Sequence, residues 1–554
     1  MIGRLAYFHA QYPLVRRLLR DTRRGRSVQR EVMREKLRIV ADSDFGRDHN
    51  VSAIKSVDDF RRQLPISDYE YFRPYIERVC EGDANALFGP DSKVLMFALT
   101  SGTTDKQKYI PVTNHFVREY KRGWKIWGLQ AHADHKDLLR KDYVHLSSDW
   151  QSKQTNGGDW CGSISGLAAE TRPAVVRRPF VLPPEVSKID DWTARQYITL
   201  RLALASSRVG MVITANPLTL VSLARLADQE KEKLIKDLVD GTLHSDFALP
   251  QQLNPALQSL IQRRHVRRGR ELEQVVEQTG HLFPKDAWPD LSLVAVWMGG
   301  SAGTFVPEVR ELYGNCGFRD HGLSASEGRM TIPMNDESNL GLLDFTTNYF
   351  EFIPESEYDN ENPTVLESHE LQEGESYYIL LTTSSGLFRY DIRDVVRCGG
   401  FEGDVPLLEF LHKGAHCSSV TGEKLTESQV AKAVGQAFQH IGHPLENVML
   451  VPEIGSPPGY RLLVEPHLVT VGDSLAEAID VSLAKLNCEY ENRLETHRLL
   501  PLSVVEVPAG TWNRVRDDKI ANHGGSYEQY KHTFLNRRGI EALGGMLAGT
   551  NESH

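Results

Sequence analysis

Residues 94–109 constrain this chain more than any other stretch. The run Val-Leu-Met-Phe-Ala-Leu-Thr at 94–100 is apolar and of strand length, and it empties into Ser101-Gly102-Thr103-Thr104-Asp105-Lys106-Gln107-Lys108-Tyr109. A strand that ends in hydroxyls, one glycine and two lysines reads as a phosphate-handling loop. Gly102 lets the backbone turn tightly and approach a ligand, Ser101, Thr103 and Thr104 offer hydroxyl donors, and Lys106 and Lys108 offer charge. A solvated turn is the alternative, since Ser, Thr and Gly are ordinary turn formers. Gly102 has no glycine partner at the Walker or the dinucleotide spacing, so P-loop and Rossmann nucleotide sites lose most of their weight.

At 554 residues the chain exceeds one ordinary core and implies several domains. A net charge of −10 argues against a general nucleic-acid binder, which needs a basic surface to displace counterions. The six cysteines are scattered without a Cys-x-x-Cys pair, which suggests neither a zinc ribbon nor a disulfide framework. Each reads as a small buried hydrophobe. No apolar run approaches the ~18 residues of a membrane span, and no signal peptide is apparent. The expected location is the cytoplasm, without stable membrane association. The arginines crowded between Arg16 and Arg30 invite a membrane-surface reading, but a helix that packs Leu14, Leu18 and Leu19 inward and keeps its arginines in water is favoured.

Residues 28–87 read as helices with polar connections. From about 112 to 290 helical periodicity predominates, as at Leu200 to Ser207 and Leu218 to Val239, interrupted by strand-like pieces such as 209–213. This alternation predicts α/β layers. Residues 291–300 repeat the opening architecture, a buried strand running into Gly299 and Gly300, so two strand ends are expected to line one crevice. Short strands at Tyr377 to Thr382 and Val395 to Cys398 predict a β-rich subdomain. Beyond Lys413 the pattern changes to a helix at about 426–441, strands at 447–452 and Tyr460 to Val464, a long helix at 473–493 and a strand near 502–507. The expected organisation is a large α/β domain over 1–412 and a small α+β domain over 413–554.

Three further clusters carry chemistry. His321-Gly322-Leu323-Ser324-Ala325-Ser326-Glu327-Gly328 presents one carboxylate among small residues, suited to Mg²⁺ or a ligand donor; a helix N-cap with Glu327 three residues after Ser324 is the alternative. In Phe388-Arg389-Tyr390-Asp391-Ile392-Arg393-Asp394, Asp394 is placed to accept two hydroxyl hydrogen bonds from a ribose, against the alternative of a salt bridge to Arg389 or Arg393. Gly524-Gly525-Ser526-Tyr527-Glu528-Gln529-Tyr530-Lys531 delivers one lysine near the end of the small domain. His132 and Asp137 match a His-x4-Asp acyltransferase spacing, but they fall in a polar helical stretch that reads as a solvated face.

Together these clusters resemble the Gretchen Hagen 3 (GH3) family of acyl acid amido synthetases, within the adenylate-forming superfamily. The likeness covers nearly the whole chain, from Phe45-Gly46-Arg47-Asp48-His49 and Leu64-Pro65-Ile66-Ser67-Asp68-Tyr69-Glu70 through the 100–104 loop with Lys108, Ser324 to Glu327 and Arg389 to Asp394, to Gly422-Glu423-Lys424-Leu425-Thr426-Glu427 and Gln529-Tyr530-Lys531. The resemblance implies a large N-terminal adenylate-forming domain, with layered sheets and helices and a β-rich subdomain, and a small mobile C-terminal lid. It also implies ATP and Mg²⁺ as cofactors, and a carboxylic acid and an amine or amino acid as substrates. Lys531, Glu327 and Lys108 would be catalytic, with Glu327 the metal ligand. Ser101, Gly102, Thr103, Thr104, Gly300, Ser301, Leu323, Ser324, Ala325, Ser326, Asp394 and Lys424 would bind the nucleotide.

This chain departs from the family pattern where an adenine-stacking tyrosine is usual and Leu323 stands, and where a glycine is expected before the motif aspartate and Arg393 stands. A coenzyme A ligase of the same superfamily and a catalytically silent homologue are the alternatives.

Overall fold

The computed structural model describes residues 2–100, 107–247, 255–414, 417–418, 420–421, 423, 425–453, 455, 457–523, 527, 530–536, 540 and 543–544. Ser101, Gly102, Thr103, Thr104 and Lys424 lie outside the described residues.

Four short strands, Asp142–His145, Val209–Ile213, Leu293–Val296 and Gly317–Asp320, pair in parallel in chain order. The middle two are buried at every position, which is why they read as continuous apolar runs: a parallel sheet carries helices on its faces. Helices Trp192–Leu204, Pro217–Gln229, Lys231–Asp240 and Val306–Tyr313 join the core on this sheet. The apparent single helix from Leu218 to Val239 is two, parted at Glu230.

A second sheet holds the opening feature. Val94–Thr100 and Lys108–Thr113 form an antiparallel hairpin with Thr100 opposite Lys108, and Val94–Thr100 also pairs in parallel with Trp160–Gly162. Lys108 is therefore the first residue of a strand, held opposite Thr100.

The β-rich subdomain is a seven-stranded antiparallel sheet centred on Val405–Lys413, Tyr390–Glu402, Ser376–Thr382 and Tyr349–Pro354. Chain segment 64–68 is stitched to it, with Ser67 N donating to Arg389 O at 3.2 Å and Asp391 N to Ser67 O at 2.8 Å. Buried Arg389 spans the same junction, pairing with Glu351 at 2.8 Å and donating to Leu64 O at 2.8 Å.

Beyond Lys413 a three-stranded sheet, Met449–Glu453, Gly459–Val464 and Ser503–Glu506, packs against Glu427–His440 and Val469–Leu486. The expected long helix at 473–493 is interrupted at Asn487. Its side-chain oxygen caps a new helix, Cys488–Glu495, by accepting from Glu489 N and Tyr490 N at 3.1 Å each. Apolar spacing runs on across the break, so periodicity alone does not show it.

The arginine-rich segment spans a helix, Pro13–Asp21, a 3-10 turn, Thr22–Arg24, and the start of a second helix, Gly25–Val40, with Val15 and Leu18 fully buried and Leu14 packed against the core. Leu19 is exposed, contrary to expectation, because Val15 completes the inner face at helical spacing. Arg17, Arg20 and Arg24 converge on Asp21 at 3.4–3.5 Å. Among the described residues no helix is long and apolar enough to cross a membrane. Cys161 and Cys398 are buried as expected, whereas Cys488 is exposed at the start of its helix.

Candidate functional site

One cavity of about 1030 Å³ gathers the carboxyl ends of all four parallel strands, at Leu146, Ile213, Trp297 and His321. Strand carboxyl ends are where open α/β sheets bind ligands. The same cavity is lined by Lys108, Ser301, Leu323, Ser324, Ala325, Ser326, Glu327, Asp394 and Lys531, so the separated clusters converge. Gly300 lies between lining residues Gly299 and Ser301 and does not itself face the cavity. With φ +58° and a would-be Cβ 2.8 Å from the Phe410 ring, Gly300 serves the turn that brings Phe410 to the wall. The turn is further pinned by Asp320, which accepts hydrogen bonds from Met298 N and Gly322 N across adjacent strand exits. Burial pushes the Asp320 carboxyl up to about 6.

Ser324–Ala325 and Gly328–Arg329 form a two-stranded hairpin, which overturns the helix-cap alternative and places Glu327 in a tight turn. Glu327 is 5% exposed, and burial raises its pKa while Lys413 and Lys108 partly offset this. The Tyr390 hydroxyl reaches Glu327 Oε1 at 3.5 Å, and Lys108 Nζ donates to the same hydroxyl at 3.3 Å. Desolvation lowers the pKa of Lys108, and the nearby Glu327 charge opposes that.

Asp394 pairs with neither Arg389 nor Arg393. Its partner is Lys413, whose Nζ lies 2.7 Å from Oδ1 and also donates to Ile392 O at 3.1 Å. Among the described residues Asp394 Oδ2 accepts no hydrogen bond, so one carboxylate oxygen remains for a ligand hydroxyl.

Lys531 enters from the small domain. Its ammonium stands 4.0 Å from the centroid of Trp297 and 5.6 Å from that of Phe410, both on the large domain. Lys531 is exposed as a residue while its amine lines the cavity, and desolvation there lowers the pKa to about 8, with the Asp394 charge opposing the shift. The two domains also touch where Trp192 stacks on Tyr527 at 4.6 Å and where Asn216 donates to Tyr530 O.

Trp297, at the strand exit expected to wall the pocket, lines the cavity, and Tyr390, Phe410 and Lys413 are site residues that spacing did not single out. Each sits at a strand end or within a strand, where an aromatic or a lysine looks like ordinary packing until the topology brings the strands together. Leu323 lines the cavity, and no aromatic replaces it at that position. His132 corrects the solvated-face expectation: it is half-buried on the cavity wall, bonded to Gly128 O at 2.6 Å and to the Tyr143 hydroxyl at 2.7 Å. Asp137 instead pairs with Lys141 at 2.6 Å, so no His-Asp dyad forms.

The donor set suits a hard cation held by one carboxylate. Glu327 is buried and only loosely hydrogen-bonded, and among the described residues no cluster of three or more His, Cys, Asp or Glu forms a protein cage. Mg²⁺ takes such sites when phosphate oxygens and water complete its shell.

Arg393, which replaces the glycine expected from the resemblance, adopts φ +60°, the left-handed region that favours glycine. Its side chain lies 3.6 Å from Asp68, both groups being well exposed, and such pairs contribute about 0–1 kcal/mol. Arg393→Gly is therefore expected to leave stability unchanged or to raise it by about 1 kcal/mol as the strain is relieved. Urea midpoints check this; a loss above about 2 kcal/mol would show that the Arg393 side chain has a structural role beyond an exposed ion pair.

Comparison with known proteins finds three family models along the chain. The chain matches the GH3 family N-terminal domain over residues 14–318, the GH3 family central domain over 341–413 and the GH3 family C-terminal domain over 428–539. It is 24% identical over 506 residues to indole-3-acetic acid-amido synthetase GH3.10 of Arabidopsis thaliana, covering 84% of each chain. It is 23% identical to jasmonoyl--L-amino acid synthetase JAR4 of Nicotiana attenuata, covering 85% of this chain and 84% of that one. Among solved structures it resembles AtGH3.15 acyl acid amido synthetase in complex with 2,4-DB, with a TM-score of 0.82, 18% identity and 97% and 96% of the chains covered. A 2-hydroxyisobutyryl-CoA ligase in the postadenylation state, in complex with 2-HIB-AMP, shares the fold at a TM-score of 0.53 and 13% identity, with 94% and 90% covered.

Proposed function

Because this chain belongs to the GH3 family, whose N-terminal, central and C-terminal domains it carries in order, we propose that it is an ATP-dependent ligase that joins a carboxylic acid to an amine, most simply an amino acid. The observation that carries this reading is the convergence of Lys108, Glu327, Asp394 and Lys531 on one cavity.

A carboxylate resists amines at neutral pH because its delocalised anion repels nucleophiles and its oxygen leaves poorly. Adenylation removes both obstacles. A carboxylate oxygen attacks the α-phosphorus of ATP, the bond to the bridging oxygen breaks, and pyrophosphate leaves with its electron pair. The amine then attacks the acyl carbon, loses a proton and expels AMP. Relatives named as indole-3-acetic acid and jasmonoyl amido synthetases support the amide product.

In this reading Lys108 holds the phosphates together with the hydroxyls of Ser101, Thr103 and Thr104. Asp394, steadied by Lys413, offers Oδ2 to the ribose. Leu323, Ser324, Ala325 and Ser326 border the base. Gly300, Ser301 and Lys424 complete the nucleotide's surroundings. Glu327 would hold Mg²⁺, which when bound neutralises phosphate charge and polarises phosphorus. Lys531 stabilises charge developing on the α-phosphate, and residues 413–554 act as a lid over the large domain 1–412, excluding water that would hydrolyse the adenylate. The scattered cysteines suit a reducing cytoplasm.

Purified protein with ATP, Mg²⁺ and an acid panel tests the first half by acid-dependent pyrophosphate release. Mass spectrometry after adding amino acids or coenzyme A tests the second. An amide is the expected product; a thioester would transfer the chain to the ligase branch, and no pyrophosphate with any acid would reject adenylation.

A further inference from the structure

The cavity wall formed by helices Ile2–Gln11, Asn114–Asp134 and Ile164–Glu170, with the exits of the first two parallel strands, differs in charge from the nucleotide side. It carries Arg4, Lys121, Lys125 and Arg172 and no acidic residue. The lining carboxylates all belong elsewhere, at 68–70, 327, 391–394, 427 and 518. Among the described residues none of these four cations forms a salt bridge. Arg4 donates to Leu138 O at 2.9 Å and to the Tyr143 hydroxyl, and Lys125 to the amide oxygen of Gln11 at 3.4 Å.

Arg172 is the most pointed case. Its guanidinium lies 3.9 Å from the Phe180 ring centroid, and Nη2 donates to His145 Nδ1 at 2.9 Å. The neighbouring carboxylate, Glu170, is turned away to the Trp150 indole at 2.7 Å. His145 is held neutral, its pKa far below the ordinary value through burial and the adjacent Arg172 charge, so it orients the guanidinium without neutralising it. Desolvation lowers even the Arg172 pKa to about 10. Lys121 donates to Thr171 O at 3.4 Å, which places a second cation beside Arg172. Unlike buried Arg201 and Arg329, whose guanidinium groups donate to backbone carbonyls, the half-buried Arg172 faces the cavity, where a ligand can supply the anion.

We infer that Arg172, with Lys121 beside it, binds a second carboxylate on the acid substrate, so that the enzyme activates dicarboxylic acids in preference to their monocarboxylic analogues. The inference rests on the adenylation reading for its substrate, since the first carboxylate is the one that reacts. Arg172 is a specificity-determining residue in this account and takes no part in the chemistry. A planar guanidinium matches a carboxylate with two parallel hydrogen bonds, and its partner Phe180 and neighbours Tyr120 and Trp124 supply apolar surface for the carbon frame between the two acids.

Matched pairs such as adipate with hexanoate and terephthalate with 4-methylbenzoate provide the probe. Two measurements are made on the full chain, wild type, Arg172→Met and Arg172→Lys: acid-dependent pyrophosphate release without amine, and quenching of intrinsic tryptophan fluorescence on titration with each acid. The wild type is expected to favour the diacid by about 10- to 100-fold in kcat/KM and in affinity. Arg172→Met should abolish that ratio chiefly through KM, and Arg172→Lys should retain part of it. Equal treatment of diacid and monoacid by the wild type, or equal losses for both in Arg172→Met, overturns the inference. An effect confined to the KM of an added amino acid overturns it too, by assigning Arg172 to the acceptor. Diacid-selective binding that Arg172→Met removes, without pyrophosphate release, would sustain the binding site and reject adenylation.

Discussion

Lys531→Ala is expected to lower acid-dependent pyrophosphate release by about 100- to 1000-fold, the loss that follows removal of one preorganised donor from developing charge, while ATP affinity changes little. Binding and rate separate here because of where the lysine comes from. Lys108, Glu327 and Asp394 come from the part of the chain before Lys413, whereas Lys531 comes from the C-terminal part and reaches the same cavity over Trp297 at 4.0 Å. Ground-state contacts therefore rest on the first set and charge stabilisation on the second.

Protonation gives a second signature of the same residue. With a pKa lowered to about 8, the amine is charged at neutral pH and loses its proton as pH rises through 8. A neutral amine cannot stabilise an anionic phosphate, so kcat/KM, which reports the free enzyme, should fall on an alkaline limb near pH 8. Proton release favours the closed arrangement above that pH, since the amine's pKa is lower there than in water, but that gain is in a form without the needed charge. Lys531→Ala should lack the limb. Parallel loss of ATP binding and rate in the variant, or an unchanged alkaline limb, would reject the lid assignment.

Much of this architecture was readable from local pattern. Strand ends at 100 and 296, the hairpin-forming runs of the β-rich sheet and the small-domain strands all carry their own apolar signature, and periodicity needs no tertiary information to show them. The breaks at Glu230 and Asn487 were not readable, because a side-chain cap or a single non-helical residue interrupts the axis without interrupting the apolar stripe. Leu19 illustrates a related limit: which of several leucines faces inward depends on the surface beneath the helix.

The site divides along the same line. Glu327, Lys108 and Asp394 stand in clusters of unusual composition, which local reading can flag. Asp394's partner could not be read from its neighbours, since Lys413 is 19 positions away and meets it only through strand pairing, Asp394 opposite Lys413. Tyr390 was within a flagged cluster but acquires its place between Lys108 and Glu327 from a 282-residue and a 63-residue separation. The cationic wall around Arg172 was invisible for the same reason: its charges come from three stretches that are unremarkable singly.

Glu327→Gln, which preserves shape and removes one charge, is expected to lower pyrophosphate release by about 100- to 1000-fold and to raise the Mg²⁺ concentration needed for half-maximal rate. The same substitution should stabilise the fold. Burial holds the Glu327 pKa above its ordinary value, so the folded chain binds this proton more tightly than the unfolded one. Wild-type stability therefore declines as pH rises from the ordinary carboxylate value up to the raised folded value and levels off above it, because ionising a 5%-exposed group is disfavoured. Glutamine has no proton to lose and should not show that decline. Activity would thus fall while the thermal midpoint at neutral pH rises, the opposite directions expected when a destabilised group is retained for its chemistry. A residue whose role is structural behaves otherwise: its replacement would lower the midpoint and the rate together and leave the Mg²⁺ requirement where it was. Measuring melting temperature across pH beside the Mg²⁺ dependence of the rate separates the two, and a fall in both would remove Glu327 from the proposed site.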